Sequence, residues 1–220
     1  MILSATWRNR NAKVWEGDFK QVSQLVPMTL GWLEEYKVAH ITPKSGLAAR
    51  TPPKWKKPPV GFIKLNVDAA FDQTSCRAAG LGGVFRDHIG AFLHGFRHTI
   101  IVAHSARHVE LLALVLGVQL AVDNHLTPLL VETDCLDLVS ALSSSLDSSE
   151  LGFLLADLRV LLHKAQEAHV LKVGRQANGV AHILAHEAKH ADCQIDFFSC
   201  IPPSVEASLI SYCNDSPSMN

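Results

Sequence analysis

The segment GFIKLNVDAAFD, at residues 61–72, constrains the fold more than any other part of the chain. Apolar side chains at positions 63, 65 and 67 alternate with Lys64, Asn66 and Asp68, which is the period of a β-strand with one apolar face. Asp68 comes at the end of this alternation. A carboxylate there is either a turn residue or a metal ligand held on a rigid strand. Carboxylates further along the chain favour the metal ligand.

The elements that follow predict a mixed α/β domain. Residues 87–90, with Gly90 last, predict a four-residue turn between the two strands of a hairpin. An antiparallel meander followed by strand–helix units indicates a mixed sheet covered by helices. The apolar patterns further on predict strands at 129–134 and 170–173, and helices at 106–125, 136–146, 151–164 and 179–191, the last with Asn178 as its N-cap.

Composition divides the chain into four parts. Residues 1–39 predict a helical appendage whose amphipathic stripe would suit a protein partner, and residues 40–59 predict a basic, proline-rich linker. Residues 60–200 form the α/β domain, and residues 201–220 predict a loosely ordered tail. The net charge is +6 over residues 1–59 and −5 over residues 60–200. A basic arm beside an acidic domain suits a protein that meets phosphates with the arm and binds cations in the domain.

The end of the linker combines three lysines with one aromatic residue. Lys54, Lys56 and Lys57 surround Trp55, and such a run can bind a nucleic-acid backbone while the ring stacks on a base. A solvated linker whose tryptophan docks on the domain explains the same residues. The sequence leaves both interpretations open.

The chain has the features of a soluble intracellular protein, cytoplasmic or nuclear, that does not bind membranes. Its five cysteines include no C-x-x-C pair, which indicates reduced thiols rather than a disulfide framework. The N-terminus lacks the pattern of a secretory signal. The longest apolar stretch, residues 109–122, is too short to span a bilayer and contains Glu110.

Three carboxylates have positions from which they can converge. Asp68 is on the first strand, Glu110 is on the sheet-facing side of the first long helix, and Asp134 ends the fourth strand. Three acids that lie close together repel one another unless cations lie between them, and oxygen ligands of this kind suit Mg²⁺. Glu132 shares a strand face with Asp134 and is the alternative acid of that strand.

Five blocks of sequence form a recognisable series. They are WKKPPVGFIKLNVDAAF at 55–71, AGLGGVFRDHIG at 79–90, VELLAL at 109–114, VETDC at 131–135 and RQANGVAHILA at 175–185. In this order the blocks resemble the ribonuclease H type 1 domain, in the plant-type version related to the C-terminal part of non-LTR retrotransposon polyproteins. The resemblance covers roughly residues 55–205. WRNRNAKVW at 7–15 also looks like the segment that precedes the domain in such polyproteins.

The resemblance implies an RNase H-like fold with a five-stranded mixed sheet in the order 3-2-1-4-5, flanked by helices. It also implies hydrolysis of the RNA strand of an RNA–DNA hybrid with two divalent ions, Mg²⁺ or Mn²⁺. Asp68, Glu110 and Asp134 fall on the first three metal-binding acids of the family. Arg175 and Asn178 fall on the block where the nucleic-acid backbone would pass.

The fourth acidic position of the family is occupied here by His182. A histidine is familiar there in the plant-type branch, but neutral imidazole is a poor ligand for Mg²⁺ and suits Mn²⁺ or Zn²⁺ better. His182, His186 and His190 also follow one helix face, as either a metal-binding row or exposed side chains. Two function classes therefore remain: a metal-dependent endoribonuclease in which His182 joins the catalytic residues, and a catalytically weak or inactive nucleic-acid-binding module.

Overall fold

The computed structural model describes residues 54–72, 79–143, 150–190 and 196–213, with side chains as far as residue 210. The chain divides into two compact units, Met1–Thr51 and Pro52–Asn220. The predicted amphipathic stripe of the first unit, and the protein partner suggested for it, lie almost entirely outside the described residues. Before residue 28 the described positions are Asn9, Lys13, Lys20, Gln21, Ser23, Gln24, Val26 and Pro27.

The second unit begins with an antiparallel meander. Strand β1 spans Ile63–Phe71, β2 spans Ala79–Arg86 and β3 spans Phe92–Ile100. The turn between β2 and β3 is held by Asp87, whose Oδ1 accepts hydrogen bonds from the backbone N–H groups of Ile89 at 3.0 Å and Ala91 at 2.8 Å. Gly90 has a φ of 90°, a conformation that favours glycine, so the predicted turn is confirmed.

Helices and strands alternate after the meander, as predicted. A short 3-10 helix, absent from the sequence prediction, precedes the helix that was expected to begin at Gly179. The elements are α1 (Ala106–Asp123), β4 (Leu129–Thr133), α2 (Leu136–Ser143), α3 (Gly152–Lys164), β5 (His169–Lys172), the 3-10 helix (Arg175–Asn178), α4 (Gly179–His190), β6 (Asp196–Phe198) and α5 (Pro203–Cys213).

The described strands form one mixed sheet in the order β5-β4-β1-β2-β3-β6. This order contains the predicted 3-2-1-4-5 arrangement, with β4 and β5 parallel to β1. The prediction of five strands was incomplete, because β6 adds a sixth strand that pairs antiparallel with β3. β6 could not be predicted from periodicity, because three residues are too few to show an alternating pattern.

Each face of the sheet is covered by helices. The larger core lies between the sheet and helices α1 and α3, and its buried side chains include Leu65 and Val67 of β1 and Leu114 of α1. A smaller core lies on the opposite face, where α4 and α5 cover Val84 of β2. Both faces of β1 are therefore buried, although its sequence alternates apolar and polar residues.

Helix α4 approaches β2 backbone to backbone. A Cβ atom added at Gly82 would lie 2.2 Å from the backbone nitrogen of Ala185, and one added at Gly80 would lie 2.0 Å from the carbonyl oxygen of the same residue. Only glycine on the strand permits this separation, since real Cβ contacts are much longer. The close approach lets short side chains of α4 reach β1.

The compact part of the chain extends beyond the predicted 60–200 domain. Trp55 of the predicted linker is only 5% exposed, and residues 203–213 of the predicted loose tail form α5. Val205 and Leu209 attach α5 to the smaller core. Among the described residues, no helix has both the length and the apolar character needed to cross a membrane.

Candidate active site

Three carboxylates meet at the end of β1. Because β1 and β4 are parallel neighbours, Asp68 of β1 and Asp134, just after β4, lie at the same edge of the sheet. Glu110 reaches this edge from the second turn of α1. Ligand oxygens of Asp68, Glu110 and Asp134 all lie within 4.8 Å of one another, so the predicted clustering is confirmed.

Glu110 is the least satisfied of the three acids. Its Oε2 is buried and has no hydrogen-bond partner among the described residues. Burial, followed by repulsion from Asp68 and Asp134, raises the pKa of Glu110 to about 9, against a smaller lowering by Arg175. A buried carboxylate oxygen without a donor, beside two further acids, fits an oxygen-seeking divalent cation such as Mg²⁺ or Mn²⁺.

Asp68 is held by the residue at the predicted fourth position. His182 Nδ1 lies 2.7 Å from Asp68 Oδ2, and the His182 side chain is 35% exposed. Burial raises the pKa of Asp68 to about 6; the hydrogen bond with His182 opposes this, and repulsion from Asp134 adds to it. The structure therefore brings all four predicted catalytic residues to one end of the sheet.

Arg175 and Asn178 occupy the short 3-10 helix but differ in exposure. The Arg175 side chain is 78% exposed, and its Nε lies 3.9 Å from Asp134 Oδ2. Asn178 is only 1% exposed, and its Nδ2 donates to the carbonyl oxygen of Val67 at 2.7 Å. Asn178 precedes α4 as predicted, but its buried side chain has no free face with which to meet a phosphate, so its position does not support a nucleic-acid contact.

Glu132, the alternative acid of β4, lies outside the group of three carboxylates. It lies on the same face of the sheet as Asn66, where Lys64 Nζ lies 2.5 Å from Glu132 Oε1 and Asn66 Nδ2 donates to Oε2 at 2.9 Å. Both oxygens are thus occupied by protein donors. Asp134 remains the acid of this strand that joins the cluster.

Trp55 docks on the domain, as one of the two interpretations of the linker predicts. Its Nε1 donates to Asn66 Oδ1 at 2.9 Å in a buried hydrogen bond. Lys54, Lys56 and Lys57 on either side of it are exposed. The lysines remain candidate nucleic-acid contacts, but in this conformation the buried Trp55 ring is not available to stack on a base.

The buried polar residues of β1 are the part of the site that sequence reasoning missed. Lys64 and Asn66 were interpreted as the polar face of a half-exposed strand, yet their exposed fractions are 3% and 0%. The sequence feature that could have indicated this burial was Trp55, which lies in a basic run just before a strand with a polar residue at every second position. His186 and His190 do not join His182 in any group of three or more metal-ligand atoms among the described residues.

Comparisons with known proteins agree with this fold. The "Reverse transcriptase-like" family model matches residues 66–188, which is more than half of the chain. A protein of Arabidopsis thaliana named "Putative ribonuclease H protein" is 30% identical over 156 residues, covering 70% of this chain and 25% of that protein. The chain thus spans about a quarter of the length of this curated relative.

Solved structures of ribonucleases H1 share the fold. RNase H1 from the archaeon Halobacterium salinarum superposes with a TM-score of 0.54 at 23% identity, covering 58% of this chain and 97% of that chain. LC11-RNase H1, solved in complex with an RNA/DNA hybrid, gives 0.52 at 19% identity, covering 58% and 96%. The fold and the acidic site define an RNase H-like domain. The chain belongs to the reverse transcriptase-like family, because the model of that family matches residues 66–188 of this domain.

Proposed function

We propose that the domain is a divalent-metal-dependent endoribonuclease that cleaves the RNA strand of RNA–DNA hybrids. The observation that carries the proposal is the convergence of Asp68, Glu110 and Asp134 within 4.8 Å, with one buried Glu110 oxygen that has no donor in the described part of the chain. LC11-RNase H1, a protein of the same fold, has been solved with an RNA/DNA hybrid. This supports the choice of substrate.

The three acids would hold the metal, and we expect two ions of Mg²⁺ or Mn²⁺. Bound divalent ions lower the pKa of water and stabilise the charge that develops on a phosphate during hydrolysis. The role of the chain is to place the carboxylates on rigid elements, since β1, α1 and the end of β4 each supply one acid. Ligands held in this way need little rearrangement to bind.

His182 would orient Asp68 and offer a proton acceptor. When His182 Nδ1–H donates to Asp68 Oδ2, the neutral ring leaves Nε2 as an acceptor. The side chain is partly exposed, so Nε2 can accept a proton from water at the edge of the site. In this function His182 takes the place of a fourth acid. It brings no negative charge, but its hydrogen bond orients Asp68.

The exposed cations would bind the nucleic-acid backbone. Arg175, beside Asp134, can reach a phosphate placed over the acids. Lys54, Lys56 and Lys57 lie on a segment that is attached to the domain through Trp55. The backbone positions from which these lysines reach a phosphate would therefore be fixed. Contacts of this kind give affinity for the backbone without reading the base sequence.

The second candidate function is a nucleic-acid-binding module that cleaves weakly or not at all. The observation that favours it is the position of His182, which contacts Asp68 where an acid would bring a fourth negative charge. Without that charge, the second Mg²⁺ would bind weakly. The two functions predict the same fold and the same nucleic-acid affinity, but different turnover.

Cleavage of a labelled hybrid in Mg²⁺ and then in Mn²⁺ separates these functions. Wild-type protein should cut the RNA strand, and Asp68→Asn should lower the cleavage rate by about a hundredfold or more. Mutation of a residue that only hydrogen-bonds to a metal ligand can already lower activity by up to about that factor. Asp87→Asn is the matched control, because asparagine also suits the hairpin turn. Binding without cleavage in either metal would support the second function, and absence of binding would contradict both.

A further inference from the structure

A buried polar network beside the acids joins the segment before β1 to the start of α4. Asn66 is its centre. Asn66 Oδ1 accepts hydrogen bonds from Trp55 Nε1 at 2.9 Å and Arg86 Nη2 at 2.7 Å. Asn66 Nδ2 donates to Glu132 Oε2 at 2.9 Å and Asn178 Oδ1 at 3.2 Å. The amide thus uses both lone pairs and both hydrogens.

The segment that carries Trp55 is attached at two points. The Arg86 guanidinium carbon lies 3.5 Å from the centre of the Trp55 ring, a cation–π contact in a site where Arg86 is 1% exposed. Lys64 Nζ also donates to the carbonyl oxygen of Lys56 at 2.6 Å. Side chain and backbone of the segment are therefore both bonded to residues of the sheet.

The other end of the network lies at the acids. Asn178 Nδ2 donates to the carbonyl oxygen of Val67, the residue immediately before Asp68. Asn178 also ends the 3-10 helix of Arg175 and immediately precedes α4, whose first turn places His182 against Asp68. Through Asn178, the start of α4 is fixed to β1 next to the metal-binding end of the strand.

The orientation of the Asn66 amide connects the two ends. Trp55 Nε1 is a donor only, as is Arg86, so the Asn66 oxygen must face them and its NH₂ group must face Asn178. A rotated amide would point an oxygen at Asn178 Oδ1, leaving two acceptors opposed in a buried site, which is unfavourable. Loss of the Trp55 donor would weaken this constraint.

We propose that Trp55 is a positioning residue for the acidic site. Its N–H group holds Asn66 in the orientation that fixes Asn178, and Asn178 in turn fixes the 3-10 helix and the first turn of α4, which carry Arg175 and His182. The proposal rests on the proposed function only in that these residues act at the metal site. It gives the segment before β1 a role in the geometry of the site, separate from any contact of its lysines with nucleic acid.

Trp55→Phe tests the proposal, because phenylalanine keeps an aromatic ring for Arg86 and removes the donor to Asn66, while the cost of its smaller size is judged against the stability control below. We expect the affinity of the protein for Mn²⁺, measured by calorimetry without nucleic acid, to fall about three- to tenfold, which lies within the usual range of coupling through a packed network. The side-chain amide signals of Asn66 and Asn178 should shift in the NMR spectrum. For hybrid cleavage, kcat should fall while KM changes little.

Leu161→Ala is the matched control for lost stability. Leu161 is a buried residue of α3 in the core on the opposite face of the sheet, so its loss should lower the melting temperature and leave Mn²⁺ affinity unchanged. If Trp55→Phe lowers only the melting temperature, as Leu161→Ala does, Trp55 is merely structural and the proposal is wrong.

A double-mutant cycle with Asn178→Ala tests the route from Trp55 to the acids. If Trp55 acts through Asn178, the double variant should lose no more Mn²⁺ affinity than Asn178→Ala alone. Additive losses would overturn the proposed route. Metal affinity and the amide signals do not depend on cleavage, so a protein that fails to cut hybrid would disprove the enzyme function while this test still gives an answer.

Discussion

Two polar clusters lie side by side along β1 and differ in how their charges are satisfied. In the buried network, Glu132 receives hydrogen bonds from Lys64 and Asn66, one on each oxygen. In the acidic cluster, Glu110 Oε2 has no donor within the part of the chain that the structure describes, and its neighbours are two further acids. Both oxygens of Glu132 therefore have protein donors, whereas one Glu110 oxygen has none among the described residues and lies beside two further acids, an environment that suits a divalent cation.

Burial alone does not identify a functional carboxylate, as two acids of this site show. Glu132 and Asp134 are two positions apart, and the Glu132 side chain, at 7% exposed, is more buried than that of Asp134 at 22%. Yet Glu132 is bonded to two donors, whereas the counter-charge of Asp134 among the described residues is Arg175, at 3.9 Å. Of these two acids, Asp134 suits a metal better, because close protein donors already occupy both oxygens of Glu132.

The largest effect on stability should come from Glu132→Gln. The substitution removes the counter-charge of buried Lys64, and breaking a buried ion pair costs about 3 kcal/mol or more. Chemical denaturation should show this loss as a lower midpoint with an unchanged slope. A loss below about 1 kcal/mol would mean that the network does not depend on its ion pair, and the contrast with the acidic cluster would fail.

His182→Asp should change activity more than stability. An acid at this position restores a fourth negative charge next to Asp68, and one metal ligand can be worth about tenfold in rate or affinity. Mg²⁺-dependent cleavage should rise by about that factor, with a smaller rise in Mn²⁺, which accepts imidazole more readily.

Other outcomes of the His182→Asp experiment decide between the two functions. If the wild type already cuts well in Mg²⁺ and the variant is no faster, histidine is a competent substitute for the acid. If both proteins are inert while the acids still bind metal, the binding-module function is supported. His182→Asn serves as the control, because it removes the imidazole without adding charge.

Glu110→Gln should stabilise the metal-free protein, opposite in sign to Glu132→Gln. The pKa of Glu110 rises from 4.5 to about 9 and that of Asp68 from 3.8 to about 6 on folding, so the folded state binds more protons than the unfolded state between about pH 4 and 9. Stability without metal should therefore fall as pH rises through this window.

Thermal unfolding in EDTA at pH 5 and pH 8 measures this effect. Glu110→Gln should reduce the loss of stability at pH 8 by about 1 kcal/mol or more, since one unit of pKa shift corresponds to that energy. Adding Mg²⁺ should stabilise the wild type more than the variant. A wild type whose melting temperature does not fall between pH 5 and pH 8 would argue against a strained acidic cluster.

Much of the fold and the acidic cluster could be predicted from sequence, because each depends on a local pattern. Alternation at residues 63–67 predicts β1, and acids at the ends of strands and on a sheet-facing helix predict their own convergence. The network could not be predicted in this way. Whether Lys64 and Asn66 face solvent depends on α4, which covers that face only because Gly80 and Gly82 let the helix come close.

The smallest effect should come from the exposed lysines that flank the network. Lys54, Lys56 and Lys57 lie on the segment fixed by Trp55 and by the bond from Lys64 to the Lys56 carbonyl. The logarithm of the binding constant falls as the logarithm of the salt concentration rises, and each lysine that contacts a phosphate of a duplex makes this slope steeper by about 0.9. Replacing all three with glutamine should therefore weaken hybrid binding at low salt and reduce the slope by up to about 3.

Lys164→Gln is the control for this experiment, because Lys164 is an exposed lysine in the last turn of α3, which covers the other face of the sheet. Trp55→Phe separates position from charge, since it keeps all three lysines and removes the hydrogen bond from Trp55 to Asn66 that helps to hold their segment. A slope that falls in the triple variant but not in Trp55→Phe would show that the lysines bind phosphate wherever the segment lies. An unchanged slope in the triple variant would leave the segment with a positioning role alone, because Trp55 and the Lys56 carbonyl would still connect it to β1.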